Sequence, residues 1–135
     1  MNAETKVVGK AQVEIDGQGK YEAESVIAHF HEKSVEVVIE LGGAPKLDRT
    51  FRFVFPRKSA HLDYKEFAAS YTYDDQFNGY QYVYNAISGG AGTVVDDEWK
   101  KVYGVFNLTM KLTKDDPAVT PEITVHGWLD VSQPS

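Results

Sequence analysis

The densest group of chemistry-bearing side chains in this sequence is a run of tyrosines. Tyr71, Tyr73, Tyr80, Tyr82 and Tyr84, together with Phe77, are interleaved with Asp74, Asp75, Gln76, Asn78, Gln81 and Asn85. Tyrosine offers a flat apolar face and a polar tip, so a row of them can stack on sugar rings or anchor a peptide. The amides and carboxylates between them could hydrogen-bond hydroxyl groups. Tyr71, Tyr73, Phe77, Tyr80, Tyr82, Tyr84 and Asn85 are therefore the candidate ligand-binding residues. The plainer alternative is a strand whose tyrosines lie at the rim of the core, with Asx residues serving the turn.

Two other groups invite a metal reading. Asp74, Gln76, Asn78 and Gly79 partly copy the start of a calcium loop, where oxygens alternate and glycine takes the sharp turn. The twelfth position of such a loop would be Asn85 in place of a bidentate glutamate, and the flanks alternate like strands. His29 and His31 sit two apart, which on a strand means one face, and such a pair can clamp a transition metal if a neighbour adds a third ligand. Exposed strand histidines and solvated acidic turns such as Asp96-Asp97-Glu98 account for these groups more simply, so no metal and no cofactor is expected.

Catalysis finds little support. The chain has no nucleophile elbow, phosphate loop or zinc-helix motif, and no cysteine to supply a thiolate. With 20 acidic residues, chance carboxylate pairs are expected and none stands out. The net charge of −6 opposes a phosphate backbone, which argues against nucleic acid as a partner. No apolar run approaches a membrane span, and the opening Met1–Lys6 lacks the apolar core of a signal peptide. Both a cytoplasmic location and export with a removed signal remain compatible with these features. Partners left open are a protein, a glycan or a small molecule, and exposed edge strands would make a homodimer easy to form.

The elements that would position these groups have a period of two. Val7, Gly9, Ala11, Val13 and Ile15 share one face, and Asp16-Gly17-Gln18-Gly19 supplies a turn. Tyr21 and Ala23 keep one register while Val26, Ala28 and Phe30 take the other, so the phase slips near Ser25, as a β-bulge would cause. Val35, Val37, Ile39 and Leu41 alternate up to Gly42. Phe51, Phe53 and Phe55 share a face from Thr50 until Pro56.

Ser59–Tyr71 breaks the pattern. Ala60, Tyr64, Phe67, Ala68 and Tyr71 are spaced by three and four, which predicts a short helix capped by Ser59, with a strand as the alternative. Gly79–Ile87 reads as a strand, Ser88–Gly92 as a flexible stretch, and Thr93–Val95 as a short strand. The clearest strands are Val102–Leu112 and Ile123–Val131, which pair as an antiparallel hairpin with a long connection.

The segments Gly92-Thr93-Val94, Tyr103-Gly104-Val105-Phe106 and Ile123-Thr124-Val125-His126-Gly127-Trp128-Leu129-Asp130 carry a resemblance. They are similar to the C-terminal part of small uncharacterised bacterial β-sandwich domains of the lipoprotein type. Trp128-Leu129 stands where those domains place an aromatic, and the chain has no lipobox cysteine. The resemblance implies a fold and no chemistry.

The expectation is one all-β domain spanning 1–135: an antiparallel two-sheet sandwich or related barrel of about seven to eight strands, with one short helix near 59–71. Its expected role is a non-enzymatic binding or protein-interaction module. The second role considered is a small β-barrel holding, or acting on, an apolar molecule.

Overall fold

The structure, a computed structural model, describes residues 9–41, 47–75, 79–114, 116–117 and 119–133. Ten strands cover most of them: β1 Gly9–Ile15, β2 Gly19–Glu22, β3 Ser25–Phe30, β4 Ser34–Glu40, β5 Leu47–Pro56, β6 Ala60–Asp63, β7 Ala68–Asp75, β8 Tyr80–Asp96, β9 Lys101–Leu112 and β10 Glu122–Ser132. All pair antiparallel in one sheet, in the order β2-β1-β10-β9-β8-β7-β5-β4-β3, with β6 joined to β8. The chain is all-β and antiparallel as expected. Where seven or eight strands in a two-sheet sandwich or related barrel were expected, the described residues form ten strands in a single sheet curled into a half-barrel.

The curl explains the phase slip near Ser25. Gly19–Phe30 pairs first with β1 and then with β4, which lie at opposite ends of the strand order. At the switch, Ala23 N–H donates to Ala11 O while Glu24 N–H donates to Glu40 O. The chain changes partners between two adjacent residues, and the inward side chains change from odd to even positions. One segment thus stitches the two edges of the sheet together, and β3 lies against β1 and β10.

The inner face is filled with side chains. Phe51, Phe53 and Phe55 form a ladder along β5, with ring centroids 6.3 and 5.4 Å apart, and Phe106 of β9 meets Phe53 at 4.9 Å. Leu108, Met110, Val125 and Leu129 close the interior from β9 and β10. The β9–β10 hairpin runs in unbroken register from Lys101 opposite Ser132 to Lys111 opposite Glu122.

Two local expectations are corrected. The helix over 59–71 is absent. The segment forms β6, a single 3-10 turn at Tyr64–Glu66, and the start of β7. Asp63, and not Ser59, is the cap: its carboxylate accepts from Lys65 N–H at 3.2 Å while Glu66 Oε1 accepts from Asp63 N–H at 2.8 Å. The helical spacing loses because a helix of this length is marginal alone, whereas β5 and β8 offer β7 a ladder on both sides.

The stretch Ser88–Gly92 is likewise the middle of the 17-residue β8, not a loose linker. A bulge between Ala86 and Ser88 moves the inward face from Tyr82 and Tyr84 to Ala91 and Thr93. Gly89, at φ 103°, permits it: a Cβ there would stand 2.1 Å from the Asn107 carbonyl oxygen.

Candidate ligand-binding site

The tyrosine cluster is built by register. Tyr71 of β7 faces Tyr84 of β8, Tyr73 faces Tyr82, and Asp75 faces Tyr80. The first two pairs bring ring centroids to 5.6 and 5.7 Å, and Tyr80 meets Tyr82 edge-on at 6.3 Å. Directly opposed aromatic side chains are a stabilising unit of antiparallel sheets. β5 extends both rows, placing Phe51 beside Tyr71 and Arg49 beside Tyr73. Moving outward along the inner face, phenylalanine gives way to tyrosine and then to tyrosine with arginine. The apolar core thus grades into a polar mouth at one end of the half-barrel.

Tyr71, Tyr73, Tyr80, Tyr82 and Tyr84 come together at this mouth, yet they do not form an open row. Tyr71, Tyr82 and Tyr84 are buried, Tyr73 is half-buried, and Tyr80 alone among the five is broadly exposed, at 59%. Asn85 is exposed and pairs with Ser70 and Lys111, out of phase with the inward tyrosines. Phe77 lies outside the described residues, as do Gln76 and Asn78 of the calcium-like stretch.

A cleft of about 320 Å³ opens between these strands and the segment before β10. Tyr71, Tyr73, Tyr84 and Arg49 form one side; Gln18, Val119 and Thr120 form the other. Hydrogen bonds fix its walls. The Tyr84 hydroxyl donates to Thr120 O at 2.6 Å, and the Tyr21 hydroxyl donates to Gln18 O at 3.2 Å. The Arg49 guanidinium lies 4.3 Å above the Tyr21 ring. Its Nε is buried and has no hydrogen-bond acceptor among the described residues. A second cleft, of about 390 Å³, adjoins on the β8–β9 side and is lined by Tyr80, Tyr82, Lys114 and Asp116. There the Tyr82 hydroxyl is buried without a partner among the described residues.

The electrostatics favour neutral phenols. Burial pushes the Tyr71 hydroxyl well above the ordinary phenol range, against an opposing pull from Arg49. Burial raises Tyr73 as well, and the Asp75 carboxylate adds to the rise while Arg49 opposes it. Tyr84 rises through burial and the neighbouring Tyr73 and Tyr82. The described lining of the first cleft therefore presents hydroxyl groups and the Arg49 cation. Among the described residues no group of three His, Asp or Glu side chains is placed to hold a metal. His29 is exposed, His31 lies 3.5 Å from Glu36, and His126 lies 3.2 Å from Glu14.

Arg49, Tyr21, Gln18, Val119 and Thr120 are absent from the candidate ligand-binding residues read from the sequence. For Arg49 a signal existed: it continues the alternation of Phe51, Phe53 and Phe55 by one step, but the strand was expected to start at Thr50. Gln18, Val119 and Thr120 come from turns and connections, where no periodicity points inward, and Tyr21 shows in the sequence only as one step of its alternation with Ala23. A rival patch lies on the outer face, where Val94, Tyr103 and Val105 are exposed on β8 and β9.

Among the described residues no helix is long and apolar enough to cross a membrane. Neither the family models nor the curated proteins compared with this chain include a match to it.

Proposed function

We propose that the chain is a non-enzymatic binding module for a small ligand, held at the tyrosine-lined mouth of the half-barrel. The observation that carries this reading is the cleft of about 320 Å³ walled by Tyr71, Tyr73 and Tyr84 above a core that is already full. That volume is at the small end of ligand pockets, so a compact molecule or one side chain of a peptide fits better than a long glycan. Burial of three of the tyrosines supports a walled cleft over a stacking platform.

The reading of an internal cavity for an apolar ligand is less well supported. Phe51, Phe53, Phe55, Leu108 and Met110 are at most 1% exposed and occupy the space such a ligand would need. A general base is usually a histidine or carboxylate, and the described lining of Gln18, Arg49, Tyr71, Tyr73, Tyr84, Val119 and Thr120 includes neither.

A screen of small planar and sugar-like fragments, followed by amide chemical-shift mapping, tests the proposal. Hits are expected to cluster on Gln18, Tyr71, Tyr73, Tyr84 and Thr120. Hits that map instead to Val94, Tyr103 and Val105 would move the binding function to the outer face and overturn it.

A further inference from the structure

Arg49 defines what the cleft can accept. Its guanidinium stacks on Tyr21 and lines the cleft, its Nε–H is out of water, and that Nε–H has no acceptor among the described residues. A buried charged donor without an acceptor is costly. The other two arginines are paired: Arg52 is bonded to Glu36, and Arg57 to Asp97 and the His31 carbonyl.

We propose that the tyrosine-lined cleft takes an anionic small molecule, a carboxylate on a compact apolar body, with Arg49 receiving its charge. This inference rests on the reading of the mouth as a binding site and adds the chemical class of the ligand. The Arg49 residue lines the cleft, and a planar two-oxygen group matches the fork of its guanidinium. Tyr71, Tyr73 and Tyr84 carry no charge at neutral pH that would repel the ligand, since an ordinary phenol is protonated there and burial raises each one further. Their ring faces, with Tyr21, suit an apolar body.

A cationic ligand would meet the Arg49 charge. The carboxylate that acts on the site electrostatically is Asp75, which raises Tyr73 while Arg49 lowers it. A phosphate dianion is disfavoured for a different reason. With a net charge of −6, the chain's long-range field opposes each added negative charge, and a monoanion meets half the opposition of a dianion.

The test compares phenylacetate with phenylacetamide, a neutral probe of nearly the same shape, titrated into the isotope-labelled full chain. Amide resonances and the Arg49 Nε–H resonance report binding. Phenylacetate is expected to bind at least about tenfold tighter than the amide and to shift the Arg49 Nε–H signal. In Arg49→Gln the ratio of the two affinities is expected to fall to about one, and Arg49→Lys is expected to keep part of the preference, having the charge but no fork. Equal affinities in the unmodified chain would overturn the anionic class, and a preference that survives Arg49→Gln would overturn the role given to Arg49; either result leaves the binding site standing. No shift at Tyr71, Tyr73 or Thr120 with either probe at millimolar concentration would overturn both. Should Arg49→Gln fail to fold, the two-probe comparison on the unmodified chain still decides.

Discussion

Strand β5 has an arginine near its start and another just past its end, and the fold treats them differently. Arg57, at the far end, donates from Nε to Asp97 at 2.7 Å and from Nη1 to the His31 carbonyl at 2.8 Å, and lies 5.3 Å from the Phe30 ring. Phe67 covers the same end by tilting onto Phe55 at 5.3 Å. Arg49, at the near end, has the Tyr21 ring on one side and a cleft on the other, with its Nε unanswered among the described residues. Both arginines cap one phenylalanine ladder. At the Arg57 end the guanidinium is bonded to the protein's own chain, and at the Arg49 end it faces a cleft. One end of the half-barrel is therefore closed by structure, while the other keeps an open cleft.

Phe53 sits between the two ends and touches Phe51, Phe55 and Phe106. Phe53→Ala is expected to cost about 3–5 kcal/mol in urea unfolding, the largest effect of any substitution considered. Hydrogen exchange in that variant should rise at both ends together. A rise confined to the β7–β8 tyrosines would show that the ends are energetically separate, and the contrast would then describe two independent units.

Alkaline pH should separate the ends next. Tyr71 has its hydroxyl raised by burial above an ordinary value of 10.0. A group whose folded pKa is raised contributes stability that is fully present below the unfolded pKa. That stability is lost as pH rises from about 10 through the folded value. Unfolding midpoints are expected to be flat with respect to Tyr71 below pH about 9 and to fall above about 10, with the slope reduced in Tyr71→Phe. A fall of the same slope in Tyr71→Phe would place the titrating group elsewhere.

Much of the fold is legible in the sequence where one strand keeps one partner on each side. Phe51, Phe53 and Phe55 alternate because β5 has a single buried face, and Val102–Leu112 with Ile123–Val131 read clearly for the same reason. Legibility fails where a strand changes partners or bends. Gly19–Phe30 shows only a phase slip, and sequence cannot reveal that its two halves join opposite edges. Ser88–Gly92 looks loose because glycines that admit close backbone approach resemble glycines that loosen a loop. Of the site, the tyrosines were visible as residue types, but their inward direction depends on the pairing of β7 with β5 and of β8 with β9. Arg49 was one alternation step beyond the expected strand.

Removing each guanidinium in turn puts the two ends on one scale. Arg57→Met is expected to destabilise by about 0.5–1.5 kcal/mol, because two solvent-exposed hydrogen bonds, to the His31 carbonyl and to Asp97, are lost. The ion pair itself contributes the smaller part, since Asp97 is 65% exposed. Arg49→Met is expected to change stability by no more than about 0.5 kcal/mol, or to raise it, because a buried donor without an acceptor is exchanged for methylene and sulfur. Equal losses in both variants, measured by urea unfolding, would mean that Arg49 is as structural as Arg57.

The smallest effect should appear within the mouth itself, between two tyrosines on one strand. Tyr84 and Tyr82 are both buried on the inner face of β8, and their aromatic rings each pack against a tyrosine of β7. Their hydroxyls differ: that of Tyr84 donates to Thr120 O at 2.6 Å, and that of Tyr82 has no partner among the described residues. Tyr84→Phe should therefore cost about 1 kcal/mol, leaving the Thr120 carbonyl to find water and freeing one wall of the cleft. Tyr82→Phe removes a desolvated hydroxyl and keeps the ring, so it should be neutral or slightly stabilising. Unfolding free energies for the pair isolate the hydroxyl from the aromatic packing, since each variant keeps its ring. If Tyr82→Phe proves as costly as Tyr84→Phe, the Tyr82 hydroxyl has an acceptor in the folded chain, and the adjoining cleft would be closed by structure in the manner of the Arg57 end.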